Sequence, residues 1–342
     1  MGNWFLPVFS ASFLPNRLPV RIRRKTVRCL NCGHTLGEVY HYCPHCGQEN
    51  NDVNVSFGTF VQEFFANYIS FDTRIGRSVW PFFFKPGFLT NEFNEGKRMR
   101  YVHPLRLYLI VSVLFFFLAS LLTKQSLEEA SLDDIVTLDE DSTEQNVKEI
   151  WPQIRQILED ETLTDQEALD SLQRSQADTV LEETGSLDSS LILKTTFHQV
   201  RRVMKKDVDI FVAFVLQNLP LMMFALIPLF ALLLKLFYWR KRRQMLYVQH
   251  LVHSLHLHTF AFIMYALLLL LYLLIEVPSH WEDELQGIAL LIVGAYVFLS
   301  FNRVYRQRWY KTLLKVSILG PIYLFLLSVF GLSEAVISFL LF

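Results

Sequence analysis

Much that would mark an enzyme is missing from this chain. It has no GxSxG nucleophile turn, no HExxH helix, no Walker A loop and no GxGxxG loop. Glycine is scarce, at 13 residues in 342, so backbone loops able to cradle a nucleotide are few. Charge is scarce too: Asp, Glu, Lys and Arg make up 19% of the chain, against about 25% in an average soluble protein. No long aromatic and basic surface is evident, and no nucleic-acid partner is expected. The first twenty residues lack a basic n-region. They are broken by Pro7, Pro15 and Pro19 and run into Arg21, Arg23, Arg24, Lys25 and Arg28, an order that argues against a cleaved export signal.

What is abundant is apolar. Hydrophobic residues reach 52%, with 30 Phe, and they come in long runs. Such runs make the lipid bilayer the first partner, because about 20 apolar residues cross it as a helix. Five runs qualify: Leu105–Leu122, Ile210–Tyr238, Leu257–Val277, Leu285–Phe301 and Val316–Phe342. The second contains Pro220 and Pro228, which predict a kink, and the fifth is expected to be interrupted at Gly331-Leu332-Ser333-Glu334. Lys97, Arg98 and Arg100 stand before the first run and Arg106 at its start. Arg240, Lys241, Arg242 and Arg243 follow the second, and Arg303, Arg306, Arg308, Lys311 and Lys315 follow the fourth. Around the connection between the third and fourth lie the acids Glu276, Glu282, Asp283 and Glu284, and no Lys or Arg. The positive-inside rule then predicts a cytoplasmic N-terminus and an extracytoplasmic C-terminus. The basic pair groups Arg201-Arg202 and Lys205-Lys206 run against it, but long loops obey the rule weakly.

The four cysteines fall within eighteen residues as Cys29-x-x-Cys32 and Cys43-x-x-Cys46, ten residues apart. Two CxxC knuckles offer four thiolates for a tetrahedral structural zinc ion, and Gly33 and Gly47 suit the turns behind them. Paired disulfides would need an oxidising compartment, which the basic flanks oppose. A redox CxxC would need a thioredoxin-like unit, and none is evident. His34, His41 and His45 crowd the same segment as groups around a closed site.

Phe57, Val61, Phe64, Tyr68, Phe71, Ile75 and Val79 are spaced as one face of a helix, with a break near Ser70 and a cap at Asp72. That predicts amphipathic helices lying beside the membrane. Residues 128–188 hold 19 acids against three bases and read as a solvated loop. The loop is expected to end in an amphipathic helix carrying Leu193, Phe197, Val200, Met204 and Val208.

The ordered motifs Tyr42-Cys43-Pro44-His45-Cys46-Gly47-Gln48, Asp72-Thr73-Arg74, Lys85-Pro86-Gly87 and Gly96-Lys97-Arg98…Tyr101…Pro104 resemble domain-of-unknown-function family 3667. The resemblance covers residues 29–122 and, more loosely, a patch near 250. It implies a bacterial inner-membrane protein and no activity.

His250, His253, His256 and His258 fall within nine residues just before the third run. Three of them, His250, His253 and His256, are helical neighbours in pairs. Such a stripe suits a second metal site or a proton relay, or else interfacial histidines meeting headgroups and carbonyls. Gln217, Asn218 and Glu334 are the other polar groups that could matter inside the spans.

The expected fold is an all-α polytopic membrane protein, about five transmembrane helices, with a small N-terminal zinc ribbon. Its order is a basic arm (1–28), the ribbon (29–50), juxtamembrane helices (51–104), a first span (105–122), an acidic extracytoplasmic loop (123–209) and spans two to five (210–342). The expected role is a non-enzymatic scaffold, assembly or transport-accessory protein, with a cytosolic or membrane protein docking on the ribbon. A small-solute or metal-ion transporter using the histidines, and a membrane-embedded metalloenzyme built on them, are the alternatives.

Overall fold

Residues 25–50, 56–66, 74–129, 167, 208–241, 245–275 and 277–341 are described by a computed structural model. Most of the basic arm, Asp72 and its cap, and nearly all of the acidic loop with its amphipathic end lie outside the described residues.

Apolar runs without internal punctuation form helices, and eight α-helices follow in chain order. They are α1 (Phe57–Ala66), α2 (Ile75–Phe84), α3 (Phe88–Asn94), α4 (Pro104–Glu129), α5 (Val208–Phe237), α6 (Tyr247–Leu274), α7 (Ser279–Tyr305) and α8 (Trp309–Leu341). The last five are each long and apolar enough to cross a membrane. Among the described residues there is no strand, only isolated bridges between Arg28 and Thr35 and between Tyr42 and Glu49.

The helix α6 occupies the middle. It packs on α4, α5 and α7, and on the short α3 and α1. α4 begins at Pro104, whose missing N–H costs nothing in a first turn. Pro220 and Pro228 lie inside an unbroken α5. Successive spans run up and down. At one end Arg303 Nη1 donates to Pro86 O (2.9 Å), Tyr247 Oη to Pro228 O (2.9 Å) and Lys315 Nζ to Phe237 O (3.2 Å). This is the ribbon end, because the loop entering α4 also meets the ribbon there.

Three expectations change. The third helix starts at Tyr247 rather than Leu257, so all four histidines lie inside its first twelve residues. The helix α8 runs unbroken through Gly331–Glu334; apolar residues on both sides and α5 alongside keep its ladder intact. Among the described residues of the expected amphipathic face, Phe64 is buried with Val61 packed beside it, whereas Phe57, Ile75 and Val79 are exposed. The buried side chains are Phe60 and Phe64 on α1, and Ser78 and Phe82 on α2.

Candidate metal centre and buried histidine seam

Each knuckle is built by the same backbone geometry. Cys29 N–H donates to His34 O (2.9 Å) and Gly33 N–H to Cys29 O (2.9 Å); Cys43 N–H donates to Gln48 O (2.8 Å) and Gly47 N–H to Cys43 O (2.9 Å). Gly33 and Gly47 take φ of 77° and 72°, where a side chain would be strained. The turns bring the four sulfurs within 4.8 Å of one another. Cys29 Sγ and Cys46 Sγ are 3.6 Å apart, as are Cys32 Sγ and Cys43 Sγ. A tetrahedral ion with bonds of about 2.3 Å to sulfur needs sulfur pairs about 3.8 Å apart, so this donor set fits one closely. Burial pushes the Cys29 thiol up to about 12, against the N–H groups of Cys32 and Asn31. At Cys43 desolvation also opposes ionisation. There the N–H groups of Cys46 and His45, with the neighbouring thiols, outweigh it and bring the thiol down to about 7. His34 and His45 stack at 5.9 Å on the exposed surface, outside the donor set.

The ribbon is seated on the bundle. Gln48, 6% exposed, donates through Nε2 to Gly96 O (2.8 Å) and accepts from Arg98 N–H at Oε1 (3.2 Å). One side-chain amide thereby mimics a strand edge against the loop that enters α4. Leu30 lies against Gly96, which takes φ of 89°. Lys97 of the same loop bridges Glu92 on α3 (2.6 Å) and Glu95 at its end (2.9 Å). Its ammonium is held above the ordinary lysine range by those hydrogen bonds. These contacts give a physical meaning to the Gly47-Gln48 and Gly96-Lys97-Arg98 motifs.

The four histidines of α6 are all buried, between 0% and 7% exposed. Each finds its own partner. The Tyr305 hydroxyl at the end of α7 lies 2.8 Å from His250 Nδ1 and 3.4 Å from His253 Nδ1. His253 Nε2 meets Ser300 Oγ (3.0 Å), and His256 Nδ1 meets Thr90 Oγ1 of α3 (2.8 Å). His258 bridges Ser254 O and the Tyr323 hydroxyl of α8, both at 2.8 Å. At the ribbon end Lys315 Nζ sits 3.7 Å over the Tyr238 ring, Tyr238 stacks on Tyr305 at 3.6 Å, and Tyr305 stacks on His250 at 5.6 Å. His256 Nε2 is buried without a hydrogen bond and lines a small cleft with Lys97, Arg98, Tyr101 and Pro104.

Of the residues expected to matter, the cysteines are brought together as one donor set, while His250 and His253 share a tyrosine and His256 turns to another helix. Sequence reading named Gln48 only as part of a motif, with no role, and missed Thr90, Ser300, Tyr305 and Tyr323.

The model of a family described as Protein of unknown function (DUF3667) matches residues 72–116. That stretch holds three of the four motifs behind the resemblance and bears it out. No curated protein matches the chain, and no solved structure matches it.

Proposed function

We propose that this protein is a non-enzymatic scaffold or assembly protein of the bacterial inner membrane, whose cysteine quartet holds a structural zinc ion on the cytoplasmic side. The carrying observation is the double hydrogen bond of Gln48 to Gly96 and Arg98. It makes the ribbon part of the bundle rather than a head on a tether. Four thiolates suit zinc, and a closed four-sulfur site leaves no position for a substrate. The histidine seam supports the same reading, because its imidazoles are engaged by the protein's own hydroxyls instead of facing a shared vacancy.

The orientation rests on charge. Arg98, Arg100, Arg106, Lys235, Arg240, Arg303, Arg306, Lys311 and Lys315 gather at the ribbon end, while Glu282, Asp283 and Glu284 start α7 at the far end. A cytosolic or membrane protein would meet the face formed by Val39, Tyr40 and Tyr42, which are 85%, 49% and 62% exposed.

Metal analysis of the purified protein tests the first half: one zinc per chain, lost in C32S. Thiol alkylation of zinc-stripped cells tests the orientation, since labelling of Cys29 by an impermeant reagent from outside overturns it. Proteoliposome assays test the role. Flux of protons, divalent metals or small solutes above empty vesicles would replace the scaffold with the transporter.

A further inference from the structure

The short helix α2 leaves an apolar face uncovered, and its contacts fix the depth at which that face lies. On its inner side Ser78 Oγ accepts from Val102 N–H (3.0 Å), two residues before α4 begins. Phe82 O accepts from the Tyr296 hydroxyl of α7 (2.9 Å), and the Phe82 ring stands 6.1 Å from Phe260 of α6. Phe260 and Tyr296 stack at 3.5 Å. Two residues before Phe260, His258 meets Tyr323 of α8 (2.8 Å) and the Phe230 ring of α5 (5.6 Å). α2 is therefore level with Phe230, Phe260, Tyr296 and Tyr323 in four spans, and with the first turn of α4.

Cations of those spans stand nearer the ribbon end. Lys235 is five residues beyond Phe230, Arg303 seven beyond Tyr296 and Lys315 eight before Tyr323, about 8–12 Å along each helix. α2 thus lies on the membrane side of this cation layer. Its outer side presents Trp80 and Phe84, 64% and 65% exposed, with ring centroids 4.1 Å apart. Ile75 and Val79 are exposed as well. Arg77 and Lys85 flank the face, and both are exposed. Lys85 Nζ lies 5.7 Å over the Phe88 ring, and among the described residues neither cation pairs with an acid. A cytosolic protein would have to pass the cation layer to cover this face, whereas the leaflet already reaches it. Tryptophan favours the level between headgroups and acyl chains, and cations beside it favour a negative headgroup.

We infer that the outer side of α2 is a binding site for an anionic phospholipid of the leaflet at the ribbon end. An acyl chain lies against Trp80 and Phe84, and the headgroup is drawn by Arg77 and Lys85. Because Ser78 and Phe82 tie the same helix to the foot of α4 and to α7, a lipid held there braces the ribbon end of the bundle. The site goes beyond the scaffold reading and does not depend on it.

Fluorescence quenching of the full chain in vesicles tests it, with Trp80 kept and the other tryptophans replaced by Phe. The vesicles hold phosphatidylglycerol and phosphatidylcholine in equal amounts, with bromine on the acyl chains of one or the other. Both bromolipids should quench Trp80, phosphatidylglycerol the more strongly, and that excess should vanish when R77Q and K85Q are combined. Equal quenching by the two lipids overturns the site. So does a Trp80 that bromolipids leave bright and aqueous iodide quenches, which would put the face in water against a soluble partner. Should the single-tryptophan chain not fold, spin-labelled lipids on the natural chain read the same preference. The phosphatidylglycerol label should be held more strongly than the phosphatidylcholine label, and R77Q with K85Q should narrow the difference; an unchanged difference overturns the site.

Discussion

Replacing Gly87 by Ala probes how α3 is pressed onto the bundle. Gly87 caps α3 at φ 75°, ψ −3°, where an L side chain costs about 1–2 kcal/mol. A Cβ there would also stand 2.9 Å from Ser300 O, 3.0 Å from Val304 Cγ2 and 3.2 Å from Ser300 Oγ, all on α7. The nearest of these is helix backbone and cannot swing aside, and overpacking of that kind adds about 1–3 kcal/mol. G87A should therefore lose about 2–5 kcal/mol. Gly96 makes the comparison. It shares the left-handed backbone, at φ 89°, but its added Cβ would meet only the Leu30 side chain, at 2.9 Å and 3.3 Å. That side chain can rotate, so G96A should lose about 1–2 kcal/mol. Gly294, inside α7 with open space around it, is the control, and G294A should be neutral or stabilising by up to about 1 kcal/mol. Thermal unfolding of the three variants in one detergent should rank them G294A, G96A, G87A from most to least stable. With about 2–4 °C lost per kcal/mol in chains of 150–250 residues, G87A should melt several degrees below G96A. Equal melting of G87A and G96A would refute the close approach of α3 to α7.

Other outcomes follow from the same contacts. Q48A removes two hydrogen bonds between the ribbon and the loop that enters α4, while the Arg98 N–H keeps Gly96 O (3.1 Å); the loss should be about 1–3 kcal/mol, read as a lower melting temperature with zinc still bound. His103, just before α4, has its imidazole pushed down to about 3 by burial, with Arg106, His256 and Arg98 adding to it. Its stabilising neutral form is fully populated above the unfolded value of about 6.5, and stability drains as pH falls from there toward 3. At pH 4.5 the loss should be about 2–3 kcal/mol, and H103Q should flatten that part of the acid-unfolding profile; an unchanged profile would sink the assignment. Y305F strips the hydroxyl that His250 and His253 share and should cost about 2 kcal/mol, read as a lower melting temperature with zinc content unchanged.

The parts of this fold that were legible in the sequence are those with local causes. Cysteine spacing determines which sulfurs can meet, and apolar run length determines which segments can span a bilayer. Pro104 at a first turn is equally local. What escaped depends on partners far along the chain. His250 to His258 read as polar residues outside a span because their buried partners are 47 to 166 residues away, at Tyr305, Ser300, Tyr323 and Thr90. Glu334 likewise looked like a break, since neither Ser338 nor Asn218 announces itself as its neighbour. Gln48 was visible as a motif residue, yet nothing local says that Gly96 and Arg98, about 50 positions on, are what it holds.

The dependence of α6 on later helices bears on how the chain is made. Tyr305, Ser300 and Tyr323 all follow α6 in the chain, and only Thr90 precedes it. When α6 first enters the bilayer, three of its four imidazoles have no side chain waiting for them. The helix must stay beside the insertion machinery, or hold its histidine turns at the headgroups, until α7 and α8 arrive. A ribosome halted after α6 would therefore leave a helix packed on α4 and α5 but with three imidazoles still short of their side-chain partners. Synthesis of α7 and α8 completes those hydrogen bonds.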